Sequence, residues 1–449
     1  MKQTLETKAP VEGIFSGVVA ATPAAGLRGE LTVPGDKSIS HRAIILGSIA
    51  EGKTVIEGFL SGADTLSTLS ALRSMGVFAE GPVGSKLKIH GSGLSGLQEP
   101  DDIIDAGNSG TTARILSGLC AAQRFFSVIT GDSTLRRRPM RRVIEPLKLM
   151  GAGIRGRKDD NLLPVAISGQ TLRGIKYAMP VASAQVKSAL LIAGLFADAE
   201  TVIEEPLKSR DHTERMLKLF GAEVEVKGNV VKIKGGRALK GKKIAVPGDI
   251  SSAAFFMVAA MITGRSEVII KNIGMNPTRT GIIEILRKMG GRIEVLSHRE
   301  LNNEPVADIM VRESALKGAV INGEELLPAI DEFPIICVAA AFAEGITRVT
   351  GAGELRIKES DRINAMSGCL TGLGIKTVEL PDGIEICGRP GTIKNSPSFS
   401  VESQGDHRIA MSMAIAALNA ENGIMIRGAG SAAVSFPGFF EELERLKRG

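Results

Sequence analysis

The stretch Val33-Pro34-Gly35-Asp36-Lys37-Ser38-Ile39-Ser40-His41-Arg42 leaves an expected strand, turns at Pro-Gly and enters an apolar helix, Ala43 to Ala50. A helix start exposes unpaired N–H groups and partial positive charge, so it favours anions. Lys37 and Arg42 add charge there, and Ser38 adds a hydroxyl donor. The stretch reads either as a cradle for phosphate or carboxylate, or as a plain helix start with a serine cap and two solvated cations. Its opening phrase returns as Val246-Pro247-Gly248-Asp249, 213 residues later.

Around this pair the chain repeats. Apolar, Ala-rich helices are expected to begin near Lys37, Asn108, Ser183, Ser251, Asp331 and Asp406, at steps of 71, 75, 68, 80 and 75 residues. Helices apolar nearly all round belong in a core. An amphipathic helix follows each. Five of these end in similar phrases closed by Gly76, Gly151, Gly221, Gly290 and Gly374, the usual left-handed stop. Alternating β-branched segments come next, such as Val224 to Ile233 with Gly228-Asn229 as the turn. The fold class is therefore α/β (α+β), built of six β-α-β-α-β-β units of about 70 residues each. Three units around an axis bury their central helices, so six make two lobes. The two Val-Pro-Gly-Asp phrases are read as crossings, with hinges near Pro34 and Pro247. One lobe spans 27–34 plus 247–449, the other 35–246, and residues 1–26 are expected to be a flexible extension. A cleft between hinged lobes is a natural ligand site.

Composition narrows the ligand. Among 449 residues, 55 Lys and Arg stand against 49 Asp and Glu, giving a net charge of +6. That balance suits nucleic acid, an anionic membrane face or small polyanions. With no Trp and one Tyr, stacking platforms for single-stranded nucleic acid are scarce. Four scattered cysteines without a CxxC read as reduced thiols of a cytoplasmic protein. Five histidines lack metal-ligand spacing, so no metal is expected. No apolar run reaches the length of a membrane span.

The chemistry sits where the apolar helices begin. Gly107-Asn108-Ser109-Gly110-Thr111-Thr112-Ala113-Arg114 lays backbone N–H groups along an anion. Leu135 to Arg142 carries five arginines, either a solvated basic helix start or a bidentate clamp. Ser183-Ala184-Gln185 offers neutral donors. In Ser209-Arg210-Asp211-His212, Asp211 is read as a helix cap and His212 as solvated. Asp331-Glu332 places acids beside an otherwise basic cleft, where a carboxylate ionises and serves as a base. Lys358-Glu359-Ser360-Asp361-Arg362 supplies cation, acid and clamp, and Asp406-His407-Arg408 repeats the theme. Cations Lys37, Arg42, Arg138, Arg210, Lys358, Arg362 and Arg408 come from five of the six units. They imply two ligands that each carry negative charge, and an empty cleft held open by repulsion.

At these residues the chain closely resembles the 5-enolpyruvylshikimate-3-phosphate synthase family. PGDKSISHR, GNSGTTAR, RRPM, ASAQVKSALL, SRDHTE, IDEFP, KESDR and GDHRIAMS carry the resemblance over nearly all of the chain beyond residue 27. It implies the two-lobed enolpyruvyl transferase fold. It also implies transfer of the enolpyruvyl group of phosphoenolpyruvate to the 5-hydroxyl of shikimate 3-phosphate, in aromatic amino-acid biosynthesis. By motif, Lys37, Ser38, Arg42, Ser183, Ala184, Gln185, Arg210, Asp331 and Lys358 would hold shikimate 3-phosphate. Lys37, Gly110, Arg138, Gln185, Arg362 and Arg408 would hold phosphoenolpyruvate. Asp331 would accept the 5-hydroxyl proton, and Glu359 and Lys37 would move protons at the enolpyruvyl group. No cofactor, metal, nucleic acid or membrane is implied, and a monomer is expected. The stretch Ala433-Val434-Ser435-Phe436-Pro437 lacks the Lys some members carry there, as in the branch that often tolerates glyphosate. Gly110 stands where an Ala is one source of tolerance.

Two alternatives carry different marks. A sister transferase acting on a UDP-sugar uses a reactive Cys in the loop matching Arg136 to Arg142, where this chain has none. An RNA-binding or RNA-end-processing protein is suggested by the basic charge and a related repeat architecture, and would show steeply salt-dependent RNA binding.

Overall fold

The structure, a computed structural model, describes residues 17–448. One unit shows the rule for the rest. Strand Ile104–Asp105 leads into central helix Gly110–Ala121 and returns as strand Phe126–Thr130, parallel to the first. Helix Arg141–Leu149 follows, then the hairpin Gly153–Gly156 and Leu162–Ser168, whose second strand lies antiparallel on Phe126–Thr130. The order in space is first, second, fourth, third, and the units starting at Lys176 and Val320 repeat it.

The central helices are Lys37–Ser48, Gly110–Ala121, Ala184–Gly194, Ile250–Ile262, Phe333–Ala341 and His407–Ala416. They are the helices expected from apolar content, and all nine residues of Phe333–Ala341 are buried. Each buried Leu, Ile or Phe contributes about 1.5–3 kcal/mol relative to exposure. The outer helices stop where predicted: Gly76, Gly151, Gly221, Gly290 and Gly374 have φ of 82°, 98°, 99°, 93° and 84°. An L side chain at these positions would be strained.

Two hydrophobic cores result. One gathers residues from Ala21 to Val33 with others from Ile250 to Leu446. The other runs from Ile39 to Val246. Strand exchange explains the split. Strand Arg28–Thr32 lies parallel to Glu267–Gly274, yet the helix it feeds, Lys37–Ser48, packs in the other core. Conversely, Lys243–Ala245 lies parallel to Ala50–Glu57 but feeds Ile250–Ile262. The two Val-Pro-Gly-Asp phrases cross side by side. Asp36 N–H donates to the Pro247 carbonyl at 2.8 Å, and Asp249 N–H to that of Pro34 at 2.9 Å. Gly35 is required there, since a Cβ would lie 1.8 Å from the Gly58 carbonyl oxygen.

The sixth unit departs from the rule. Among the described residues no hairpin follows strand Ile424–Arg427 and helix Phe439–Lys447, and strand Val18–Ala21 pairs antiparallel with Ile424–Arg427 in its place. This corrects the expectation of a flexible extension over 1–26: Val18–Ala21 is a strand, and Leu27 is fully buried in the first core. The signal was slight, because Val18-Val19-Ala20-Ala21 is too short to show alternation. Residues 1–16 lie outside the described residues.

Candidate active site

The central helices start where the lobes face each other, and five of the six starts are fixed by a capping side chain, Phe333–Ala341 being the exception. Asp36 accepts from Ile39 N–H at 2.8 Å, Ser109 from Thr112 N–H at 3.1 Å, Asp249 from Ser251 N–H at 2.8 Å and Asp406 from Arg408 N–H at 2.9 Å. Asp36, Asp249 and Asp406 already place a carboxylate at three of the starts, which satisfies the exposed N–H groups and the helix dipole. Ser109 and Ser183 leave the second and third starts with neutral caps.

Two carboxylates anchor the cleft. Asp331 lies in the 3₁₀ turn Leu327–Glu332 that leads into Phe333–Ala341. It pairs with Arg210 from the other lobe, and Arg362 and Arg408 approach to 3.5 and 3.9 Å. Burial alone would raise its carboxyl. Arg210, Arg408, Lys358 and Arg362 outweigh burial and hold it well below the ordinary carboxylate range. Glu359 pairs with Arg362 at 2.8 Å and, across the lobes, with Arg138 at 3.4 Å. It too is held well below the usual range, against its burial, first by Arg362 and then by Arg138. Arg362 is almost fully buried and also binds Asp406 at 2.8 Å.

The predicted residues divide by what they touch. Lys37 Nζ sits 3.1 Å from Asp64, and after burial it is the main cause that holds the His407 imidazole down at about 3. Arg138 Nη2 donates to Asn108 Oδ1 at 2.6 Å, beside Gly110. A Cβ on Gly110 would lie 3.5 Å from the Arg138 guanidinium. Gln185 accepts from Arg114 and donates to Thr111 Oγ1 at 3.0 Å. Lys358 has its ammonium pKa lowered by burial despite Asp331 and Glu359. Ser183 caps its helix, and Ala184 offers only backbone. Arg42 is the exception. Its buried guanidinium is committed to Thr213 and Ser188 hydroxyls and the Ser38 carbonyl, inside one lobe. Its geometry here is that of a brace under Ser38.

Of the five arginines in Leu135 to Arg142, Arg138 reaches the cleft and Arg142 forks onto Glu354 of the other lobe at 2.9 and 3.2 Å. Arg136 and Arg137 are exposed. The expectation of an empty cleft held open by repulsion counted cations only. Asp331, Glu354 and Glu359 face Arg210, Arg142 and Arg138, and the lobes meet across these three pairs. The reading of His212 as solvated is also corrected. It is buried, and its Nδ1 lies 2.7 Å from Glu304 of the other lobe. Asp211 makes no cap bond and instead accepts from Asn276 at 2.7 Å.

Sequence reading missed Arg279 altogether and gave Arg114 no role of its own. Arg114 is lowered to about 10 by burial, with Arg142 and Arg138 adding to the effect. Its signal was its place one helical turn beyond Gly110. Arg279 had no local signal, because its partners lie far away in sequence. Among the described residues, no group of three His, Cys, Asp or Glu side chains is placed to hold a metal, and no helix is long and apolar enough to cross a membrane.

Comparison with known proteins now bears on this site. The family model for EPSP synthase (3-phosphoshikimate 1-carboxyvinyltransferase) matches residues 21–443. A 3-phosphoshikimate 1-carboxyvinyltransferase from Pelobacter propionicus is 54% identical over 431 residues, which cover 96% of this chain and 99% of that protein. One from Geobacter metallireducens is 56% identical over 424 residues, 94% of this chain and 98% of that one. The solved EPSP synthase from Acinetobacter baumannii superposes with a TM-score of 0.85 at 48% identity, covering 96% and 98% of the two chains. The enolpyruvyl transferase NikO from Streptomyces tendae shares the fold, with a TM-score of 0.76 at 16% identity. With a match that takes in both crossings, both carboxylates and every central helix, the chain belongs to the EPSP synthase family.

Proposed function

We propose that the chain transfers the enolpyruvyl group of phosphoenolpyruvate to the 5-hydroxyl of shikimate 3-phosphate, releasing phosphate. The observation that carries this reading is the pair of depressed carboxylates, Asp331 and Glu359, each tied to an arginine from either lobe. Shikimate 3-phosphate is assigned to Lys37, Ser38, Ser183, Ala184, Gln185, Arg210, Asp331 and Lys358, with Arg42 bracing Ser38. Phosphoenolpyruvate is assigned to Lys37, Gly110, Arg138, Gln185, Arg362 and Arg408.

The ion pairs suggest how the acids are tuned. A phosphate bound at Arg210 competes with Asp331 for that guanidinium. Relieved of its foremost cation, the half-buried Asp331 carboxyl rises and becomes a stronger base. It takes the 5-hydroxyl proton as that oxygen bonds to C2 of phosphoenolpyruvate. The phosphoenolpyruvate anion engages Arg362 and Arg138 and raises Glu359 in the same way. Glu359, with Lys37, then gives a proton to C3 and later removes one, as the C2–O bond to phosphate breaks and phosphate leaves with its electron pair. Arginines already fixed in the fold offset the charge that develops on the leaving group without reorganising.

All the assigned residues lie in one chain, so a monomer suffices. Free cysteines at Cys120, Cys337, Cys369 and Cys387 suit the reducing cytoplasm. The family match favours this acceptor over a UDP-sugar or RNA. Phosphate release from phosphoenolpyruvate is the test. It is expected only when shikimate 3-phosphate is present, and release without it, or none with both, overturns the reading.

A further inference from the structure

Arg279 lies in the turn between strand Glu267–Gly274 and helix Gly281–Lys288, outside the motifs discussed above. It is buried at the point where the lobes cross. Nη1 lies 3.2 Å from Asp36, while Nη2 lies 3.2 Å from Asp249 and donates to Ser251 Oγ at 2.6 Å. One guanidinium thus bridges the caps of two central helices from opposite lobes. Glu332 Oε1, next to Asp331, stands 3.8 Å from Nη2 and accepts from Ser251. The acids outnumber the cation, so Arg279 stays charged, and burial is outweighed first by Asp36 and then by Asp249.

Each contact ends beside a residue of the proposed reaction. Asp249 accepts the Lys37 backbone N–H at 3.2 Å through its other oxygen, Oδ2. Asp36 precedes Lys37, and Glu332 follows Asp331. The same turn carries Asn276, which accepts Arg279 N–H at 2.8 Å through its carbonyl and grips Asp211, the neighbour of Arg210, at 2.7 Å.

We infer that Arg279 is a positioning residue for enolpyruvyl transfer: its fork sets the Lys37 turn of one lobe in register with the Asp331-Glu332 turn of the other. Arginine suits the task because its donors are held in one plane, while an ammonium is a point charge on a flexible stem. The inference rests on the proposed activity for its rate assay.

The test compares Arg279→Gln and Arg279→Lys with the unaltered chain. Three readouts are taken: shikimate 3-phosphate sites per chain by calorimetry, kcat per site, and hydrogen exchange of the Lys37 amide. Misplacing Lys37 by about 1 Å is expected to cost on the order of 100-fold in kcat. Sites per chain stay unchanged, the Lys37 amide exchanges faster, and Lys recovers only part of the rate. A merely structural role would lose sites and rate together. A folded Arg279→Gln chain with unaltered kcat, a loss of sites that matches the loss of rate, or an unchanged Lys37 amide each overturns the inference. If Arg279→Gln fails to fold, Arg279→Lys decides by the same readouts, and full activity there overturns it. Absence of phosphate release by the unaltered chain would instead sink the proposed activity, leaving the Lys37 amide to judge Arg279.

Discussion

Two buried charge clusters in this molecule look alike and differ in what their acids are free to do. Lys187 sits within 2.7 Å of both Glu205 and Glu214, with all three side chains at most 3% exposed and all in one lobe. Asp331 and Glu359 are 17% and 21% exposed, and each draws on arginines from both lobes. In the first cluster one cation serves two acids, and burial raises the Glu214 carboxyl despite Lys187. In the second, arginines outnumber acids and both carboxyls are driven down. A closed cluster with too few cations holds structure together. An open one with cations to spare keeps a partner for an incoming anion.

The contrast breaks most readily at its largest effects. Lys37→Met should lose at least about 1000-fold in phosphate release, as an anchoring charge and a proton donor go together, while thermal unfolding stays near that of the unaltered chain. Asp331→Asn should lower kcat by about 100- to 10,000-fold, read in the same assay. Lys187→Met should act chiefly on the fold, costing about 3–5 kcal/mol in denaturant unfolding because two buried acids lose their partner. A larger rate loss per folded chain in Lys187→Met than in Asp331→Asn would erase the distinction.

Smaller effects sharpen it. Gly110→Ala sets a methyl 3.5 Å from the Arg138 guanidinium and 3.3 Å from that of Arg114. It should weaken glyphosate more than phosphoenolpyruvate, by about 1–3 kcal/mol of discrimination. Equal losses for both, in inhibition and KM measurements, would count against the placement of Arg138. Acid provides the last test. The Glu359 carboxyl is depressed in the fold relative to its unfolded value of 4.5, so its contribution is complete above that value and drains away as pH falls toward the folded one. Glu359→Gln should therefore flatten the acid limb of stability against pH, and an unchanged limb would show that Glu359 is not held by its arginines.

How much of this was legible depended on range along the chain. Central helices, glycine stops and crossings are local patterns, so the periodic Ala-rich runs and the repeated Val-Pro-Gly-Asp located them. The cleft residues were legible because charge clustered at helix starts. What escaped were partners chosen by folding. Nothing near His212 announces Glu304, 92 residues away, and nothing near Arg279 announces Asp36, 243 residues away. The Arg42 partners Thr213 and Ser188 likewise reach it only in three dimensions.

Strand Val18–Ala21 carries a consequence for how the protein is made. It leaves the ribosome long before its partner Ile424–Arg427, which follows about 400 residues later in the chain. Arg28–Thr32 likewise waits for Glu267–Gly274. The core between Ile39 and Val246 can assemble during synthesis, domain by domain, as large chains generally do. Its companion stays unfinished until Ile424–Arg427 has been made, with the early strands unpaired for the interval.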